Sequence, residues 1–169
     1  MTHQERKETG FILLKKEEDV KIATASDHAG YELKKGILAY LSERGIQFED
    51  FGCGPEERVN YVEFGEKAVK SVCSGQYDRA ILVCGTGLGM AIVANKFKGI
   101  RATPCQDEYS TEMSRCHNDS NCLTMGGRIL PLDEAINIVR IWLDTEFEGG
   151  RHLDRLQKIL EIEEKNFKP

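Results

Sequence analysis

The chain has 169 residues and a mass of 19.1 kDa, enough for one ordinary globular domain with a real core. Its hydrophobic content of 40% and charged content of 30% suit a soluble protein, and a formal net charge of -5 argues against a general nucleic-acid or membrane surface. No stretch approaches the roughly 20 apolar residues of a membrane helix.

Residues 1–19 are polar and charged, and read as an extension to a domain over residues 20–169. The apolar run Phe11 to Leu14 is too short for a signal-peptide core. The expectation is therefore a cytoplasmic protein with reduced thiols. Most of its six cysteines then serve as small core residues.

From Val20 onward strand and helix patterns alternate. Val20 to Ala25 reads as a strand. Tyr31 to Arg44 carries Leu33, Ile37, Leu38 and Leu41 on one helical face and stops at Gly45. Ile46 to Phe51 alternates like a strand, and Val62 to Ser74 is a helix closed by Gly75. Ala80 to Val83 is a compact buried strand, followed by a short helix from Leu88 to Lys96. Ile100 to Thr103 (strand), Glu108 to Cys116 (helix) and Cys122 to Met125 (strand) come next. Two helices, Leu132 to Phe147 and His152 to Lys165, finish the chain.

Strands separated by helices imply right-handed crossovers and a parallel sheet covered on both faces. Five such strands predict a doubly wound, three-layer α/β/α domain, Rossmann-like in outline. Ligands of such sheets sit beyond the carboxyl ends of the strands, where the strand order reverses. Ser26-Asp27-His28 leaves the first strand and Cys84-Gly85-Thr86-Gly87 leaves the third. In a sheet ordered 2-1-3 both clusters face one crevice.

The glycines in "VCGTGLGMAIVANK" are spaced G-x-G-x-G, with Met90 where a dinucleotide fingerprint needs its third glycine. The Gly-Lys-Ser/Thr ending of a nucleoside-triphosphate loop is missing as well. What Gly85, Gly87 and Gly89 supply is unobstructed backbone N–H groups at a helix start, a cradle for an anion that is bound or that develops during reaction. A helix N-terminus also favours the thiolate of a neighbouring thiol, and Cys84 stands there. A base beside an oxyanion cradle suits proton removal next to a carbonyl. His117 and Asn118 in "RCHNDSN" follow a helix outside any apolar pattern and read as a polar pocket wall. In "EGGRHLDR", Arg151 and Arg155 are four apart and share a helix face, either as a solvated surface or as a fork for phosphate, which Arg128 joins.

The segments "ASDHAGYELK", "DFG", "VCGTGLGMAIVANK", "GIRA", "SRCHNDSN", "GGR" and "WLDTEFEGGRH" together resemble the ribose-5-phosphate isomerase B and galactose-6-phosphate isomerase family, in family order from about Lys21 to the last helix. The resemblance implies cofactor-free and metal-free interconversion of a phosphorylated aldose and ketose through a cis-enediolate, with ribose 5-phosphate as the first expectation. It assigns Cys84 as the base between C1 and C2. Thr86 and the amides of Gly85 to Gly89 would hold the enediolate, and His117 would assist ring opening. Asp27 would contact the ring oxygen or hydroxyls, Asn118 would support the intermediate, and Tyr61 would contact substrate. His28, Arg128, Arg151 and Arg155 would bind phosphate. It also implies a homodimer or tetramer with each pocket completed by a neighbouring subunit, and no nucleic-acid or membrane partner.

Two departures from the family pattern bear on the sugar. Asn60-Tyr61-Val62 stands where the family has Asp-Tyr-Pro, and Thr103-Pro104 follows "GIRA" where aliphatic residues are usual. Loss of a charge near a polyol shifts which hydroxyl pattern is accepted, so a hexose 6-phosphate or a tetrose phosphate is the alternative substrate. Two further readings compete. One is a zinc site from Cys105, Cys116, His117 and Cys122, whose spacing is not that of paired ligands. The other is a sugar-phosphate-binding module without catalysis.

Overall fold

The segments with period-two and compact apolar patterning form strands, and those with helical spacing form helices. A computed structural model describes residues 20–54 and 58–167; the extension expected over residues 1–19 lies outside the described residues. In chain order the elements are β1 (Lys21–Ser26), α1 (Tyr31–Glu43), β2 (Gln47–Asp50), α2 (Tyr61–Cys73), β3 (Arg79–Cys84), α3 (Leu88–Ala94), β4 (Ala102–Pro104), α4 (Glu108–Cys116), β5 (Cys122–Gly126), α5 (Leu132–Asp144) and α6 (Arg151–Asn166).

The boundaries shift where side chains intervene. α3 stops at Ala94 because the Asn95 amide turns aside, accepting from Ala102 N and donating to Ala102 O, both at 2.9 Å. β4 starts later than the sequence suggests and includes Pro104, which an edge strand tolerates. α5 ends at Asp144 rather than Phe147, since Thr145 adopts extended backbone. Two helices start on side-chain caps: Asn60 accepts from Val62 N at 3.1 Å, and Asp107 accepts from Ser110 N at 2.7 Å.

All five strands are parallel, in the order β2-β1-β3-β5-β4. The expected 2-1-3 start holds, and the last strand inserts between β3 and the edge strand β4. One face of the sheet (Ile22, Ile81, Val83, Leu123, Met125) packs on α1 and α5 through Leu33, Ile37, Ile138 and the fully buried Trp142. The other face (Ala23, Ala25, Ala80, Leu82, Cys84, Cys122) packs on α2 and α3 through Ala68, Val69, Met90 and Ala94. Small residues on this second face let its helices approach closely, and Cys84 projects toward them.

Candidate functional site

Three strand exits interlock at the carboxyl pole of the sheet, and glycines permit it. A Cβ on Gly30 would stand 2.5 Å from the Val83 carbonyl oxygen, and one on Gly127 would stand 2.5 Å from that of Ala29. The contacts are fastened by hydrogen bonds from Gly127 N to Cys84 O at 2.8 Å and from Arg128 N to Gly85 O at 3.1 Å. Asp27, His28, Cys84, Thr86 and Arg128 therefore come from three loops that form one surface. The two clusters expected to share one crevice lie side by side, and the β5 exit adjoins them.

At its centre the buried Cys84 sulfur accepts a hydrogen bond from Gly87 N at 3.2 Å. Gly87 has φ +79, and a Cβ there would lie 2.9 Å from Met125 backbone, so only glycine turns the amide onto the sulfur without strain. The cradle is narrower than the sequence suggests. The Gly87 amide serves the sulfur, and the Leu88 amide donates to Thr86 Oγ1 at 3.4 Å. Arg128 lies over Gly85, where a Cβ would be 3.6 Å from its Cδ and Nη1. Tyr61, held in the first turn of α2 by the Asn60 cap, sets its ring against Gly89, whose missing side chain makes the room.

Asp27 is buried, and its Oδ1 accepts from both Ala29 N and Gly30 N at 3.0 Å. One carboxylate oxygen thus builds the turn into α1 instead of facing a ligand. The two sequence departures also find local explanations. Asn60 is a helix cap, a position Asp and Asn fill alike. Thr103 and Pro104 lie on β4, which β5 separates from β3 and the crevice.

Within one chain, His117, Asn118, Arg151 and Arg155 lie away from this crevice. α4 leaves the carboxyl pole and runs back along the sheet, so the turn after it lies at the amino pole, where β5 begins. There Ala80 N donates to Asn121 O at 2.9 Å, and Arg101 Nε donates to Asn118 O at 3.1 Å. The six residues of β3, at about 3.3 Å each, put the poles roughly 20 Å apart. The turn is held by buried charge. Asp119, at φ 43, bridges Arg115 Nη1 at 2.8 Å and Arg101 Nη2 at 3.0 Å. Burial pushes the Arg101 guanidinium down, and the Asp119 charge opposes that.

The start of α6 docks on the same turn, with Glu148 N donating to Cys116 O at 3.1 Å. The His117 and His152 rings stack, with centroids 4.1 Å apart and an 8° angle between planes. Glu148 Oε2 lies 3.5 Å from His152 Nε2 and 4.0 Å from His117 Nε2. Arg151 Nε donates to His152 Nε2 at 3.4 Å. Burial, and then the positive charges of His117, Arg151 and Arg155, lower the pKa of His152. His152 and Glu148 are not among the residues expected at the site. The signal available was their place beside Arg151 in a loop that, after a helix, must lie at the amino pole.

His117, Glu148 and His152 place three ligand-type atoms within 4.8 Å of one another. A ligating imidazole keeps the ion in its ring plane, and two nearly parallel planes about 4 Å apart share no such point. The stacked rings therefore do not converge on one ion. The rival set of Cys105, Cys116, His117 and Cys122 is dispersed, with Cys105 in one sheet-face core and Cys122 in the other. Burial pushes both thiols up, away from the ligating thiolate form.

Comparison with known proteins agrees with the fold and shows the family. The family model described as Ribose/Galactose Isomerase matches residues 22–159. The chain is 45% identical over 145 residues to ribose-5-phosphate isomerase B of Escherichia coli, covering 86% of this chain and 97% of the relative. It is 38% identical over 141 residues to D-erythrulose-4-phosphate isomerase of Pectobacterium atrosepticum, covering 83% and 93%. The solved structure of Clostridium thermocellum ribose-5-phosphate isomerase B superposes with a TM-score of 0.84 at 51% identity, covering 86% and 99%. No helix among the described residues is long and apolar enough to cross a membrane.

Proposed function

Since this chain belongs to the ribose/galactose isomerase family, we propose that it interconverts ribose 5-phosphate and ribulose 5-phosphate through a cis-enediolate. The observation that carries the reading is the buried Cys84 sulfur where the strand exits meet, receiving the Gly87 amide at 3.2 Å. A thiolate so held takes the proton from C2 of the open-chain aldose and returns it to C1. The C1 carbonyl oxygen becomes an enediolate oxygen and then, taking up a proton, the C1 hydroxyl of the ketose, while the C2 hydroxyl gives up its proton and becomes the C2 carbonyl. Thr86 and the amides of Gly85 and Gly89 face the developing negative charge, and such preorganised donors act most strongly where charge appears. Asp27 meets the sugar hydroxyls through the carboxylate oxygen not used by the turn. Tyr61 bounds the pocket.

The proposal places His117 and Asn118 in the crevice of a second copy. Opposite poles within one chain support this, because a two-fold dimer brings the amino pole of each copy to the carboxyl pole of the other and completes two equal sites. His117 then assists ring opening. The phosphate lies between His28 and Arg128 of one copy and Arg151 and Arg155 of the other, where guanidinium groups grip its oxygens in pairs. A homodimer is the smallest such assembly, and a tetramer pairs two of them. That none of the six cysteines is in a disulfide fits a cytoplasmic setting.

The test is a panel of aldose phosphates of four, five and six carbons, assayed for ketose formation with a chelator present. Fastest turnover of ribose 5-phosphate is expected. A preference for the tetrose phosphate would instead align the chain with the erythrulose-phosphate relative, and absence of ketose from every sugar would overturn the catalytic reading.

A further inference from the structure

His152 is 2% exposed, and no role has yet been given to it. It sits in the first turn of α6, where its backbone N–H donates to Gly149 O at 3.0 Å, and the preceding loop is tied to the end of α4 through Glu148 N. Its ring cannot swing. One face lies flat on His117, which is half-buried, and one edge atom, Nε2, accepts from Arg151 Nε. The other nitrogen, Nδ1, is buried and has no hydrogen-bond partner. A buried imidazole that leaves a nitrogen orphaned is costly unless the ring does something else. Here it joins a ring-opening imidazole to a phosphate-binding guanidinium.

We propose that His152 is a positioning residue: its ring face fixes the plane of the His117 imidazole, and its ring edge fixes the Arg151 guanidinium. The assignment rests on the roles given above to His117 and Arg151. His117 without the stack rotates about two side-chain bonds, and Arg151 without the acceptor has a long, exposed, mobile stem. A catalytic group displaced by an ångström loses rate steeply, so a rigid plate beneath both groups has a kinetic effect without touching substrate. Burial and the neighbouring positive charges disfavour a proton on His152 itself. Glu148 faces both rings with a carboxylate.

The two contacts separate by substitution. His152→Phe keeps a flat ring and removes the acceptor, whereas His152→Gln keeps an acceptor near the Nε2 position and removes the ring face. Each is assayed in the full-length enzyme on ribose 5-phosphate and on an aldotetrose 4-phosphate, whose phosphorylated O4 cannot close a ring. The Phe variant is expected to hold kcat on ribose 5-phosphate within about threefold and to raise KM about tenfold on both sugars. The Gln variant is expected to lower kcat about tenfold on ribose 5-phosphate alone, with KM little changed. Identical profiles for the two variants, or equal kcat losses on both sugars, would overturn the assignment. His117→Ala runs alongside. If it slows both sugars equally, the ring-opening role of His117 falls, and this assignment with it. If it discriminates and His152→Gln does not, only the positioning role is lost.

Discussion

The amide of Gly87 points at the sulfur of Cys84 from 3.2 Å, three residues further along the chain and in a left-handed turn. That hydrogen bond fixes the sulfur against the glycine loop, the geometry the proposed base needs. With Cys84→Ala, exchange of the C2 hydrogen with solvent is expected to fall by about 10²–10⁴-fold, the usual contribution of a positioned base. Inorganic phosphate should bind almost as before, because the phosphate residues lie elsewhere. Deuterium incorporation followed by proton NMR reads the first quantity and calorimetry the second; rapid exchange in the variant would assign the base to another group.

Gly87→Ala should damage stability and rate together. Positive φ costs a side chain about 1–3 kcal/mol, and the new Cβ would meet the Met125 backbone at 2.9 Å, where nothing flexible can yield. A lowered melting temperature with loss of turnover is the expected pair. Gly89→Ala meets only the Tyr61 ring, a side chain that can move. That variant should keep its melting temperature and show a raised KM.

Mixing two inactive variants tests the shared site. Cys84→Ala and His117→Ala homodimers each lack a necessary group in both sites. Subunit exchange at equal amounts restores one intact site per heterodimer, so about a quarter of wild-type sites should return. Activity on ribose 5-phosphate measured before and after exchange gives the answer. No recovery, with exchange verified by mass, would place both residues in the same chain's pocket.

His152 ties stability to pH. Its pKa is lowered in the folded chain by burial first and by His117, Arg151 and Arg155 next, with Glu148 opposing. The unfolded chain therefore takes up the extra proton more readily as pH falls below about 6.5. The contribution is fully present above that value and is lost as pH drops through the folded pKa. Between about pH 7.5 and pH 5.5 the melting temperature of His152→Phe should fall less than that of the wild type. Parallel slopes would show that other groups carry the dependence.

Asp119 is the joint of the amino pole. Removing its charge with Asp119→Asn leaves Arg101 and Arg115 buried and uncompensated, at a cost of about 3–5 kcal/mol, while Asn still tolerates the left-handed backbone. Urea unfolding should report most of that loss. A change under about 1 kcal/mol would mean that the arginines find water or other partners.

Much of this architecture is written in local pattern. The apolar strands, the amphipathic helices and the paired polar exits of β1 and β3 each follow from a few neighbouring residues. Placement across the sheet does not. Nothing local to "CLTMG" says that β5 slips between β3 and β4, yet that insertion brings Gly126, Gly127 and Arg128 to the crevice. His117 was legible as polar and as following a helix. Its pole follows from topology alone, since a chain that has gone up a strand and down a helix stands at the amino edge. His152 was hidden because a histidine beside two arginines looks like one more surface charge until the ring beneath which it lies is known.

In the proposed shared site, the separation of Cys84 and His117 by the length of a strand makes catalysis answer to concentration. Each copy, fully folded, would hold half of two different machines. Dilution that parts the copies would silence turnover while leaving every helix and strand intact, and assembly would restore it without any refolding.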